Sequence, residues 1–158
     1  MRRLLLLAAA VGLTAADEAP IAFPEGFRAW THVASAQVGP GNPAAPKYEG
    51  VHVIYANPAA IEGYKTGKWA DGAVIVYDQW TPEKSGPDAQ GQGRRKFIDV
   101  MVRDSRRYAA TGGWGYTEFV WPGRERVTAI EDNAAKACGA CHEKTAPGGD
   151  HVFSTFKD

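Results

Sequence analysis

Phe97-Ile98-Asp99-Val100-Met101-Val102-Arg103 alternates without a break. Successive side chains of an extended chain point to opposite faces. Ile98, Val100 and Val102 therefore share one side, and Phe97, Asp99, Met101 and Arg103 the other. Working outward, residues 114–121 read as an aromatic strand closed by Pro122-Gly123, and residues 73–77 as a strand after the turn signal Asp71-Gly72. Residues 51–55 are a further β-rich run halted by Asn57-Pro58, and residues 59–66 a short helix ended by Gly67. Residues 35–47 and 82–93 read as Pro/Gly loops, Asp104-Ser105 as the cap of a short helix through Ala110, and residues 152–156 as a last short strand. Strands so close in sequence favour an antiparallel sheet with helices gathered at one side, an α+β fold.

The chain has 158 residues and opens on Met1-Arg2-Arg3, an apolar run at residues 4–13 and the small residues Thr14-Ala15-Ala16. That is the layout of a secretory signal peptide over residues 1–16, too short to span a bilayer, and it predicts export to the periplasm. Residues 17–158 are expected to form a single domain. The 18 basic residues include the leader's Arg2 and Arg3 and face 18 acidic ones. No charge excess points to nucleic acid or to an anionic membrane, and no later segment is apolar enough to cross one. Eighteen glycines, ten prolines and 11% aromatic residues suit a loop-rich domain with large side chains packed around a ligand.

Both cysteines of the chain fall in Cys138-Gly139-Ala140-Cys141-His142. C-x-x-C-H is the attachment signal of a c-type haem: two thiols at this spacing reach the two vinyl groups on one porphyrin edge, and the adjacent imidazole is delivered to the iron. Three other readings stand beside it. A Cys138–Cys141 disulfide would close a very short loop and constrain the unfolded chain little. A thioredoxin-like pair wants a βαβ unit, whereas residues 129–137 read as a helix arriving at the cysteines. A structural zinc site wants four ligands, and no second Cys/His pair is spaced for it.

With the motif C-terminal to a β-rich domain, the chain resembles the cytochrome P-460 / cytochrome c′-β family. The resemblance rests on Phe23-Pro24-Glu25-Gly26-Phe27-Arg28-Ala29-Trp30, Val53-Ile54-Tyr55-Ala56-Asn57-Pro58 and Gly63-Tyr64-Lys65-Thr66-Gly67-Lys68-Trp69-Ala70-Asp71-Gly72. It continues through Val102-Arg103-Asp104-Ser105-Arg106-Arg107-Tyr108, Gly113-Trp114, the cysteine motif and Val152-Phe153-Ser154-Thr155-Phe156. Ordinary class I cytochromes c differ, being all-helical with the motif near the N-terminus. The resemblance implies a sheet of about five antiparallel strands, a homodimer, and one covalent haem c with His142 below a five-coordinate iron.

It also implies two candidate positions above the iron. Cytochromes P-460 proper carry a lysine on the strand after the Asp-Gly turn, which bonds to the porphyrin and is associated with hydroxylamine oxidation. Tyr77 stands there in this chain, closer to the hydrophobic caps of the c′-β branch, which binds nitric oxide and other small gases. Asp99 falls where the family has an acidic residue near the pocket that accepts substrate protons. A carboxylate in an apolar strand demands a partner or a function; the alternative is a solvated outer face shared with Arg103.

His52 aligns with a polar position facing the haem, to contact a propionate or the ligand, although a surface histidine is the simpler reading. Met101 is the one internal methionine and so the one thioether available for a His/Met electron-transfer haem. His32 and His151 have no motif around them, and Arg94, Arg95 and Lys96 read as a solvated loop end. Three functions follow: a gas-binding haem protein, an oxidoreductase acting on hydroxylamine or nitric oxide, and an electron carrier serving a redox partner protein.

Overall fold

A computed structural model describes residues 19–146 and 150–157; the proposed leader lies outside the described residues. The core is one antiparallel sheet of six strands in the order β1-β2-β3-β4-β5-β6. They are β1 Thr31–Val38, β2 Gly50–Ala56, β3 Val74–Gly86, β4 Ala89–Arg103, β5 Trp114–Val120 and the short β6 Glu125–Arg126. The helices are α1 Ala45–Tyr48, α2 Pro58–Thr66, α3 Thr128–Asp132 and α4 Ala140–Thr145, with a π-turn at Ala135–Gly139. The α+β expectation holds. No helix among the described residues is long and apolar enough to cross a membrane.

Alternation in β4 divides the core as the sequence implies. Ile98 and Val100 pack with Val76 and Phe119 on one face, under Ile21 and Phe27 from the N-terminal segment. On the other face Ile75, Trp114 and Tyr116 pack with Ala60 and Ile61 of α2 and with Val152. Helix α2 begins where Asn57 Oδ1 accepts the Ala60 amide at 2.9 Å, with Pro58 in its first turn. It ends at Gly67, whose φ of 69° is the left-handed conformation a glycine adopts without a Cβ clash.

Several expectations are corrected. The sheet has six strands rather than about five, because β1 also pairs along β2, and the last strand is only Glu125–Arg126. Residues 82–93 are not a loop: β3 and β4 continue past a register shift at Trp80 and Pro82 as a long hairpin turning at Pro87 and Asp88. A proline lacking its N–H is tolerated at such an irregularity. Only residues 39–44 of the first proposed loop lie outside regular structure. The stretch after Asp104 forms turns and a 3-10 segment at Ala109–Thr111 instead of a helix. Residues 129–137 are split between α3 and the π-turn. Residues 152–156 are irregular, held by their side chains rather than by a ladder.

Candidate functional site

Residues three and four apart on a helical path lie on one side, so Cys138, Cys141 and His142 are presented together from the π-turn and α4. Both thiols are free, Cys141 exposed and Cys138 packed against the core around Trp114 and Tyr116. Burial raises the Cys138 thiol above its ordinary value, and Asp99 adds to the shift. The His142 ring sits between Tyr116 and Phe153, at centroid distances of 5.0 and 4.6 Å. Its Nδ1 lies 2.7 Å from the His151 carbonyl oxygen. A carbonyl only accepts, so Nδ1 carries the proton and Nε2 holds the lone pair. Burial also pulls the His142 pKa down, keeping the ring neutral.

The sheet face towards which this segment turns carries a row of successive cross-strand partners: Ala34, Ile54, Tyr77, Asp99 and Glu118. Asp99 therefore faces Glu118 directly. The Tyr48 hydroxyl donates to Asp99 Oδ2 at 3.3 Å, and Lys47 Nζ lies 2.5 Å from Glu118 Oε2. Lys96 Nζ donates to the Lys47 carbonyl at 2.5 Å and so anchors α1. Burial pushes the Asp99 carboxyl up to about 8, with Glu118 adding to the shift and Lys47 and Tyr48 opposing it. Burial also works against the Lys47 charge, yet Asp99 and Glu118 outweigh it and hold the ammonium above its ordinary value.

Tyr77 stacks on His52 at 4.5 Å and is met edge-on by Tyr48 at 5.7 Å. Its hydroxyl donates to Gln79 Oε1 at 2.8 Å. Burial, then Asp99, keeps that phenol neutral, and burial lowers the His52 pKa. His52 is partly buried, not a surface residue, and its Nδ1 has no hydrogen-bond partner among the described residues.

The structure thus brings Tyr77, Asp99 and His52 onto one face. Met101 lies on that face too, but cross-strand from Tyr116 and packed into the core cluster, on the side from which His142 approaches. His32 stands apart on β1, bonded to Ser35. Arg95 is no solvated loop end: it lies between the rings of Trp80 and Trp121, at 4.4 and 4.3 Å, and pairs with buried Asp78 at 2.7 Å. Lys47, Tyr48, Glu118 and His151 carry no motif, and the first three meet Asp99 only through pairing of distant segments. Alternation could have exposed Glu118 alone, since Trp114, Tyr116 and Glu118 share a parity.

The donor set fits a c-type haem: two unpaired thiols and an imidazole with a fixed tautomer, all on one side of one segment. Among the described residues no three His, Cys, Asp or Glu side chains gather as a metal-holding group of another kind. The sequence model of the family described as Cytochrome P460 matches residues 24–154. No curated protein matches the chain.

Proposed function

Since the chain belongs to the cytochrome P460 family and is at that level a haem c cytochrome, we propose that it binds nitric oxide or a similarly small neutral ligand. In this reading Cys138 and Cys141 would hold the haem and His142 would ligate its iron. The haem supplies the iron at which the ligand binds. The protein supplies the rest. His142 presents a neutral Nε2, and Tyr77 and Tyr48 crowd the facing surface with aromatic bulk that selects by size.

The observation that carries the preference for binding is the state of Tyr77. Its hydroxyl is engaged by Gln79 and held neutral, and it offers no amine for a bond to the porphyrin, which supports a capping role for this side chain. His52, with Nδ1 unpartnered, is left to hydrogen-bond the ligand or a haem propionate. Met101 supports binding over electron carriage, being used for packing beside Tyr116.

A second reading, oxidation of hydroxylamine or nitric oxide with Asp99 as proton acceptor, draws on the burial of that carboxyl. With its pKa near 8, Asp99 holds a proton at neutral pH; it donates there and accepts only in more alkaline solution. We further propose export with loss of residues 1–16, and a homodimer.

The deciding experiment is the spectrum of the ferrous protein with and without nitric oxide. A high-spin, five-coordinate iron that takes up the gas is expected. Replacing His142 by Ala should leave the haem attached and change its ligation, and an unchanged spectrum rejects His142. Hydroxylamine turnover with an artificial electron acceptor that rises as the pH passes 8, and is lost in Asp99→Asn, would replace the binding reading with the second one.

A further inference from the structure

Asp150 and His151 form a corner where several elements converge on His142. The Trp69 indole N–H donates to Asp150 Oδ2 at 2.9 Å, and the Trp114 indole N–H to the Asp150 carbonyl at 3.1 Å. Asp150 Oδ1 accepts the Val152 amide at 3.2 Å. The two indoles themselves pack edge to face at 5.4 Å. The next residue, His151, is buried with φ 67°, a left-handed conformation uncommon outside glycine. Its ring lies so close to Gly112 that a Cβ there would overlap it, and its Nδ1 is 3.4 Å from the Tyr116 hydroxyl. A backbone held in that region persists when its surroundings over-determine it. What this corner presents outward is the His151 carbonyl, 2.7 Å from His142 Nδ1.

We propose that the Asp150–His151 corner is a latch that sets the ring plane and electron density of the haem's proximal ligand, with Asp150 and Trp69 as positioning residues. The proposal rests on the haem reading above. An acceptor on the distant nitrogen of a ligating imidazole fixes its tautomer and makes the ligating nitrogen more basic. Here the acceptor belongs to the backbone, so its direction depends on what holds that backbone. Two tryptophan N–H groups and one carboxylate do so, and Trp69 acts without touching His142.

The test uses the haem-loaded protein. Asp150→Ala removes both side-chain acceptors, Trp69→Phe removes one donor while keeping an aromatic ring, and Asp150→Asn retains one acceptor oxygen. Resonance Raman of the ferrous form reads the iron–histidine stretch, and redox titration reads the potential. The expected result is a downward shift of the stretch and a raised potential in Asp150→Ala and Trp69→Phe, with Asp150→Asn closer to wild type. An unmoved stretch and potential, in variants that merely melt earlier, would reduce the corner to a structural role and overturn the latch. Should Asp150→Ala fail to accumulate, Trp69→Phe decides alone. Colourless wild-type protein would sink the haem reading itself, a failure visible before any variant is made.

Discussion

Asp99→Asn isolates the charge cost built into the facing carboxylates. In the unfolded chain Asp99 ionises near its ordinary value of 3.8, and in the fold near 8. Between those values the folded state keeps a proton that the unfolded state has released, so stability falls as pH rises through the window. One proton corresponds to about 1.4 kcal/mol per pH unit. From pH 5 to pH 7 the wild type should therefore lose about 3 kcal/mol relative to a variant that cannot ionise there. Asn keeps the shape and an acceptor oxygen for Tyr48, so packing changes little. The assay is urea unfolding of both proteins at half-unit pH steps, with the midpoints converted to free energies through a common slope. The difference curve should climb steadily towards pH 8 and then level off. Parallel curves would mean that Asp99 is ionised at neutral pH, and the account of Glu118 and burial acting on it would be wrong.

Tyr77→Phe takes the hydroxyl from Gln79 Oε1, which is fully buried, and should cost about 1–3 kcal/mol of unfolding free energy; chemical denaturation measures it, and an unchanged midpoint would show that Gln79 finds another donor. Arg95→Met takes the guanidinium from between Trp80 and Trp121 and leaves the Asp78 carboxylate, only 1% exposed, without its ion-pair partner. A loss of about 3–5 kcal/mol is expected, and a thermal melt within a degree or two of wild type would contradict it.

The parts of this fold legible in the sequence are those whose neighbours are local. Ile98, Val100 and Val102 reveal their common face because alternation needs no partner, and Asn57, Pro58 and Gly67 bound α2 by chemistry within one turn. The long hairpin is not legible because Pro82, Gly86, Gly91 and Gly93 look like loop residues, while the ladder that straightens them lies across the turn. Strand β1 is inconspicuous for a related reason: it is largely exposed, with small and polar side chains and Val33 alone deeply buried. Cys138, Cys141 and His142 stand out in the sequence because the motif is defined by spacing within one short segment. Glu118 and Lys47 are not, since only strand register and the α1 crossing bring them to Asp99. His151 leaves no trace, because its contact with His142 is made by a backbone oxygen that every residue has.

Each strand of this sheet bonds only to the strands next to it along the chain. Such a meander closes short loops one after another, which keeps the entropy lost at each step small and folding fast. The segment with both cysteines follows the last strand, so the surface it docks against can assemble before it arrives. The chain order thereby lets a scaffold mature first and its reactive tail settle last, with the thiols accessible in the interval.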